Sequence, residues 1–136
     1  QESGRLISLV SLTDDVVVPR DKVADAVKFV MKTGEKYPFT PLICAHVGDG
    51  NLHIVLCKCD LTDEEWENNV QAFHDEVYTY AYSIGGRLAG EHGIGAKKLA
   101  EMEKYTRPGE LNLMRTIKKA MDPKCILNPG KIFNVD

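Results

Sequence analysis

Two short glycine-rich segments, His46-Val47-Gly48-Asp49-Gly50-Asn51-Leu52-His53 and Gly90-Glu91-His92-Gly93-Ile94-Gly95, hold three of the chain's four histidines together with carboxylates. Imidazole and carboxylate are the donors of a divalent-cation site. Pro41 to Val47 reads as a short apolar strand and His53 to Cys57 as another, while Gly48 to Asn51 tolerate positive φ and close a hairpin. With those residues as the loop, Val47 faces Leu52 and His46 faces His53. Directly opposed Cβ atoms lie about 4.5–5.5 Å apart, close enough for both rings to bind one ion at about 2.0–2.1 Å. Glu91 is the nearest carboxylate by motif to complete a three-ligand site with open positions, which a substrate hydroxyl or carboxylate could fill.

The plainer alternative is that each histidine is a satisfied polar group at a turn, and for one histidine that would be the ordinary reading. Two that face each other across a glycine-rich turn, with Glu91-His92 downstream, point instead to a metal or catalytic site. Asp49 and Asn51 fall in the turn, where their side chains can bond their own backbone or support the imidazoles from behind. Gly93 and Gly95 let the backbone approach a ligand closely, but they do not follow the strand-to-helix pattern of a dinucleotide loop. His74, within a helix beside Asp75, is expected at the surface.

The elements that must position these residues follow from periodicity. A strand over residues 6–18 ends in Val16-Val17-Val18-Pro19. Asp21 offers an N-cap, and Val23, Ala26, Val27, Val30 and Met31 predict an amphipathic helix over 21–34. The hairpin, 42–47 with 52–59, comes next. Thr62-Asp63-Glu64-Glu65 resembles a capping box opening a long helix with Trp66, Val70, Phe73, Val77, Ala81 and Ile84 on one stripe. Gly85-Gly86 ends that helix, and Arg87-Leu88-Ala89 is a short strand candidate. Strand, helix, strand, strand, helix, strand is the split βαβ order of a ferredoxin-like α+β sandwich, with both helices on one face of an antiparallel sheet. Alternation then sends Ile43, Ala45, Val47, Leu52, Ile54 and Leu56 under the helices. It turns Cys44, His46, His53, Val55 and Cys57 to the open face. A C-terminal helical extension follows, with helices over 96–103 and 108–121, the second stopped by Asp122-Pro123. The apolar tail Ile126 to Phe133 is expected to pack back, either toward a partner or as an ordinary C-terminal strand. Residues 1–5 look frayed.

At 136 residues, with 43% hydrophobic and 27% charged positions, the chain fits one domain spanning 1–136. The net charge of −3 and the lack of a basic stripe argue against nucleic acid, with Lys97-Lys98 and Lys118-Lys119 read as solvated helix faces. No apolar run could span a membrane and no secretion signal opens the chain, so a cytoplasmic setting is expected, peripheral to a membrane only through partners. Cys44, Cys57, Cys59 and Cys125 are then expected to be reduced and packed as small hydrophobes. A closed zinc site using Cys57 and Cys59 is disfavoured, because Cys57 lies about 13 Å along its strand from His53 at roughly 3.3 Å per residue.

The two glycine-rich segments, Leu127-Asn128-Pro129-Gly130-Lys131 near the C-terminus and Asp15 to Pro19 closely resemble the C-terminal domain of FAD-linked 2-hydroxyacid dehydrogenases and oxidases. This is the D-lactate dehydrogenase, glycolate oxidase and D-2-hydroxyglutarate dehydrogenase group of the vanillyl-alcohol oxidase superfamily. The resemblance implies oxidation of a D-2-hydroxy acid to the 2-oxo acid, with hydride passed to FAD held mainly by a separate flavin-binding domain or subunit. It implies His46, His53 and Glu91 as ligands of zinc or manganese, and His92 as the base that takes the hydroxyl proton. It implies a tail running toward the flavin domain, with Asn128, Gly130 and Lys131 as cofactor contacts. The flavin domain and upstream basic residues that clamp the substrate carboxylate are outside this chain, and Val55 stands where some relatives carry an asparagine near the substrate. Activity is therefore expected only with a flavin partner. The competing class is a metal-binding or interaction module that keeps this fold without catalysis.

Overall fold

A computed structural model describes residues 11–135, and their contacts divide the chain into two compact units that meet at the Gly90–Glu91 peptide. In the first, β1 (Ser11–Val17) is followed by a 3-10 turn over Arg20–Lys22 and α1 (Val23–Gly34). Then come β2 (Leu42–His46), β3 (Asn51–Cys57) and α2 (Asp63–Ser83). The sheet order is β1-β3-β2, antiparallel throughout, and a single antiparallel bridge between Val17 and Arg87 extends it beyond β1. That is the α+β arrangement the sequence predicts, with its fourth strand reduced to one residue pair. Gly86 sets the turn before it. A Cβ there would lie 2.5 Å from the Val17 carbonyl oxygen and 2.8 Å from that of Ala81, so the chain turns tightly out of α2 and meets β1 at Arg87. The part of the predicted first strand before residue 11 lies outside the described residues.

The core is the face on which Leu52, Ile54 and Leu56 meet Phe73 and Val77 of α2 and Ala26 and Val30 of α1, all at most 2% exposed. From Leu52 onward β3 alternates strictly, with His53, Val55 and Cys57 on the other face only partly covered. The capping box forms as expected: the Glu65 amide donates to Thr62 Oγ1 at 3.2 Å and the Thr62 amide to Glu65 Oε2 at 2.9 Å. Asp21, by contrast, does not cap α1. It sits inside the 3-10 turn, where the Lys22 amide donates to the Pro19 carbonyl at 2.8 Å, and Lys22 takes the cap position with no side-chain bond.

The core also has a polar element. Asp14, 3% exposed, points into the helix side of the sheet and accepts from the Tyr78 hydroxyl. His74 is half-buried rather than at the surface, because its place next to Phe73 on α2 brings Nε2 to 3.7 Å from Asp14 Oδ2 and its ring onto Tyr78, one turn on.

The second unit holds α3 (Leu99–Tyr105) and α4 (Pro108–Met121), the latter with the predicted bounds. The predicted helix over 96–103 starts later, because Gly95 adopts φ 56° and its carbonyl accepts from the Ile132 amide at 2.8 Å. Lys97 and Lys98 therefore lie in a turn. Lys118 is not merely solvated: its Nζ donates to Asp122 Oδ2 and to the Leu127 carbonyl, each at 2.6 Å. The tail packs only through Phe133, 8% exposed, while Ile126 and Leu127 stand 70% and 62% exposed. The four cysteines are free thiols, but Cys44 and Cys59 are exposed rather than packed, Cys44 because it faces outward on the edge strand β2. No helix among the described residues is long and apolar enough to cross a membrane.

Candidate metal centre

His46 ends β2 and His53 sits third in β3, on the sheet face away from the helices. Their register differs from the expected one. His46 pairs with Asn51 and His53 with Cys44, so the loop is Val47 to Gly50 and the histidines are diagonal neighbours. The cause is a contact outside the hairpin: the Val18 amide donates to the Gly50 carbonyl at 2.9 Å, drawing Gly50 (φ 76°) against the end of β1 and making Asn51 the first strand residue. Diagonal neighbours remain within reach of long side chains. The two rings meet edge to face with centroids 5.1 Å apart.

Asn51 is thus a buried strand residue, 3% exposed, and not part of the turn. Its Nδ2 lies 3.5 Å from His53 Nε2 and donates to it in the tautomer that leaves that ring nitrogen unprotonated. Asp15 is the residue that sequence reasoning passed over. It lies directly opposite His53 across β1 and β3, is 1% exposed, and accepts from the Gly90 amide through Oδ2 at 2.7 Å. The alternation of β1 could have revealed it, since Leu12, Asp14 and Val16 share the core face and leave Thr13 and Asp15 on the histidine face.

Glu91 follows Gly90 directly, and His92 Nε2 stands 3.5 Å from Glu91 Oε1, with both side chains about half exposed. Among the described residues, ligand atoms of His46, His53 and Glu91 all lie within 4.8 Å of one another. No cysteine joins that cluster. Gly93 and Gly95 adopt φ of 75° and 56°, and a Cβ on either would meet nothing within 4 Å, so both serve turn geometry rather than close approach to described atoms. Asn128 (φ 47°), Gly130 (φ 66°) and Lys131 line one pocket of about 260 Å³ with Lys118, Cys125 and Phe133. That is below the roughly 300–1,000 Å³ usual for a whole small-molecule site, so it can offer a contact but not enclose a cofactor. A larger open hollow of about 480 Å³, lined by Phe29, Asp75, Glu76, Thr79, Tyr80 and Ser83, contains none of the histidines. The imidazole face carries the donor chemistry and is the better candidate site.

The model of the family described as FAD linked oxidases, C-terminal domain, matches residues 5–132. A D-lactate dehydrogenase of Anaerostipes hadrus is 39% identical over 118 residues, 87% of this chain and 25% of the relative. The glycolate oxidase subunit GlcD of Bacillus subtilis (strain 168) is 34% identical over 126 residues, 93% of this chain and 27% of the relative. A D-2-hydroxyglutarate dehydrogenase of Stutzerimonas stutzeri (strain A1501) is 36% identical over 102 residues, 74% of this chain and 22% of the relative. The chain spans about a quarter of the length of these relatives. With the hairpin and the Gly90 to Gly95 segment in place, the chain belongs to the family of FAD-linked oxidase C-terminal domains.

Proposed function

We propose that this chain is the metal- and substrate-holding domain of a flavin-dependent enzyme that oxidises a D-2-hydroxy acid of the lactate or glycolate type to the 2-oxo acid. One observation carries the reading: His46, His53 and Glu91 offer ligand atoms within 4.8 Å of one another. Two bonds of about 2.1 Å span at most about 4.2 Å, so a small rotation of the exposed His46 and Glu91 side chains suffices to close the set on one ion. Two imidazoles and one carboxylate leave positions open, as a catalytic zinc or manganese site requires and a structural one does not. The names of the relatives, D-lactate dehydrogenase and glycolate oxidase subunit, support the substrate class.

In this reading the substrate's hydroxyl and carboxylate oxygens sit at the His46, His53 and Glu91 cluster. His92 takes the hydroxyl proton, the electron pair of that O–H bond becomes the second carbonyl bond, and the α-hydrogen departs with its own pair. When bound, the cation supplies Lewis acidity toward the two oxygens and the flavin accepts the hydride. Asn128, Gly130 and Lys131 face the flavin-binding partner, and the working place is the cytoplasm.

Zinc titration of the purified chain tests the ligand set. Wild type is expected to bind one zinc ion, and His46→Ala and His53→Ala to lose it. His92→Ala should keep the metal and, with the flavin-binding domain supplied, lose about 100- to 10,000-fold in turnover. A wild-type chain that binds no zinc, or an undiminished His92→Ala enzyme, overturns the assignment.

A further inference from the structure

We propose that Asp15 is a positioning residue: its carboxylate latches the backbone at Gly90 and so sets Glu91 beside the histidine pair. This rests on the metal reading above. Asp14 and Asp15 are consecutive in β1 and point to opposite faces, Asp14 to the Tyr78 hydroxyl and Asp15 to the histidine face. A carboxylate 1% exposed is costly to bury and needs donors. The Gly90 amide is one, at 2.7 Å.

The other side of Gly90 is also fixed. A Cβ there would fall 2.4 Å from Asn51 Oδ1 and 2.5 Å from its Cγ, so the glycine lies flush against the Asn51 amide. Asn51 is 3% exposed and its Oδ1 has no hydrogen-bond partner among the described residues, so packing against Gly90 rather than bonding holds this contact. Gly90 is thereby held by a side chain from β1, where Asp15 lies opposite His53, and another from β3, the strand that carries His53. Glu91 follows with its Cα about 3.8 Å away, and Gly93 and Gly95 beyond it adopt positive φ. Asp15 is not among the clustered ligand atoms. It therefore reaches the cation only by way of a ligand, and the backbone it holds at Gly90 leads directly into Glu91.

A double-mutant cycle separates this from general support of the fold. Zinc affinity is measured by competition with a chromogenic chelator, and Gly90 amide exchange by NMR on the zinc-free chain. Asp15→Ala should weaken zinc about 10–100-fold and speed Gly90 exchange, whereas Asp15→Asn, which keeps an oxygen acceptor, restores most of both. In a Glu91→Ala background, Asp15→Ala should change zinc affinity by less than about twofold. Gly90→Ala, which leaves Asp15 in place but lifts the segment off Asn51, should repeat the pattern and decides the matter if Asp15→Ala fails to fold. Equal losses with and without Glu91, or unchanged Gly90 exchange in Asp15→Ala, overturn the latch alone. A wild-type chain that binds no zinc overturns the metal reading and the latch with it.

Discussion

The two units are held by different forces. Up to Gly90 the interior is mainly apolar and interlocked, with Leu52, Ile54, Leu56 and Phe73 fully buried between sheet and helices and a few buried polar groups such as Asp14 among them. Among the described residues from Glu91 onward only Met102, Leu111 and Phe133 are buried hydrophobics, and charged ties add to them. Glu103 accepts both from Arg115 and from the Asn134 amide, while Asp122 accepts from Lys118 and from the amides of Ile126 and Leu127. Area burial resists heat and is indifferent to pH, whereas carboxylate ties fail when the carboxylate is protonated. The comparison teaches that one chain carries two stability regimes.

The largest test is Phe73→Ala, which deletes a fully buried ring packed edge-on against Phe39 and Tyr37 and should cost about 3–5 kcal/mol in denaturant unfolding. A loss below about 1 kcal/mol, the scale of ordinary surface changes, would break the claim that area burial dominates there. The second test acts on the other unit. The Lys118 ammonium, followed by the amides of Leu127 and Ile126, holds Asp122 below its ordinary value of 3.8. A carboxylate whose pKa is lowered by folding gives stability that is in place above the unfolded value and is lost as pH falls through the folded one. Amide exchange at Ile126 and Leu127 should therefore quicken as pH drops below the ordinary carboxylate range, after correction for intrinsic rates, and should already be fast in Asp122→Ala. Protection that persists in that variant would show that Phe133 alone anchors the tail. The smallest effect is expected from Thr62→Ala, which removes the cap of α2 and should cost about 1 kcal/mol, read as a shift in denaturation midpoint. A cost as large as that of Phe73→Ala would erase the contrast between core and polar ties.

Local rules made much of this legible. The capping box at Thr62, the stop at Gly85-Gly86, the bounds of α4 and the alternation of β3 need only neighbours in sequence, and each is found in the structure. What the sequence hid depends on partners far along the chain. The hairpin register differs because Val18 engages Gly50, and His74 is half-buried because Asp14, sixty residues earlier, turns inward to meet it. Asp15 escaped notice for the same reason, since its partner Gly90 lies 75 positions away. His46 and His53 lose their expected pairing but stay close after a two-residue change of register, because a strand's period of two returns the same side chains to the same face.

The Tyr78 hydroxyl on Asp14 has one more effect. Greasy surfaces can slide past one another at little cost, but a directional bond between a phenol and a carboxylate has one setting. It acts as an index pin, stopping α2 from shifting along its axis against β1. The strand that carries Asp15 on its other side thus keeps its place under thermal motion.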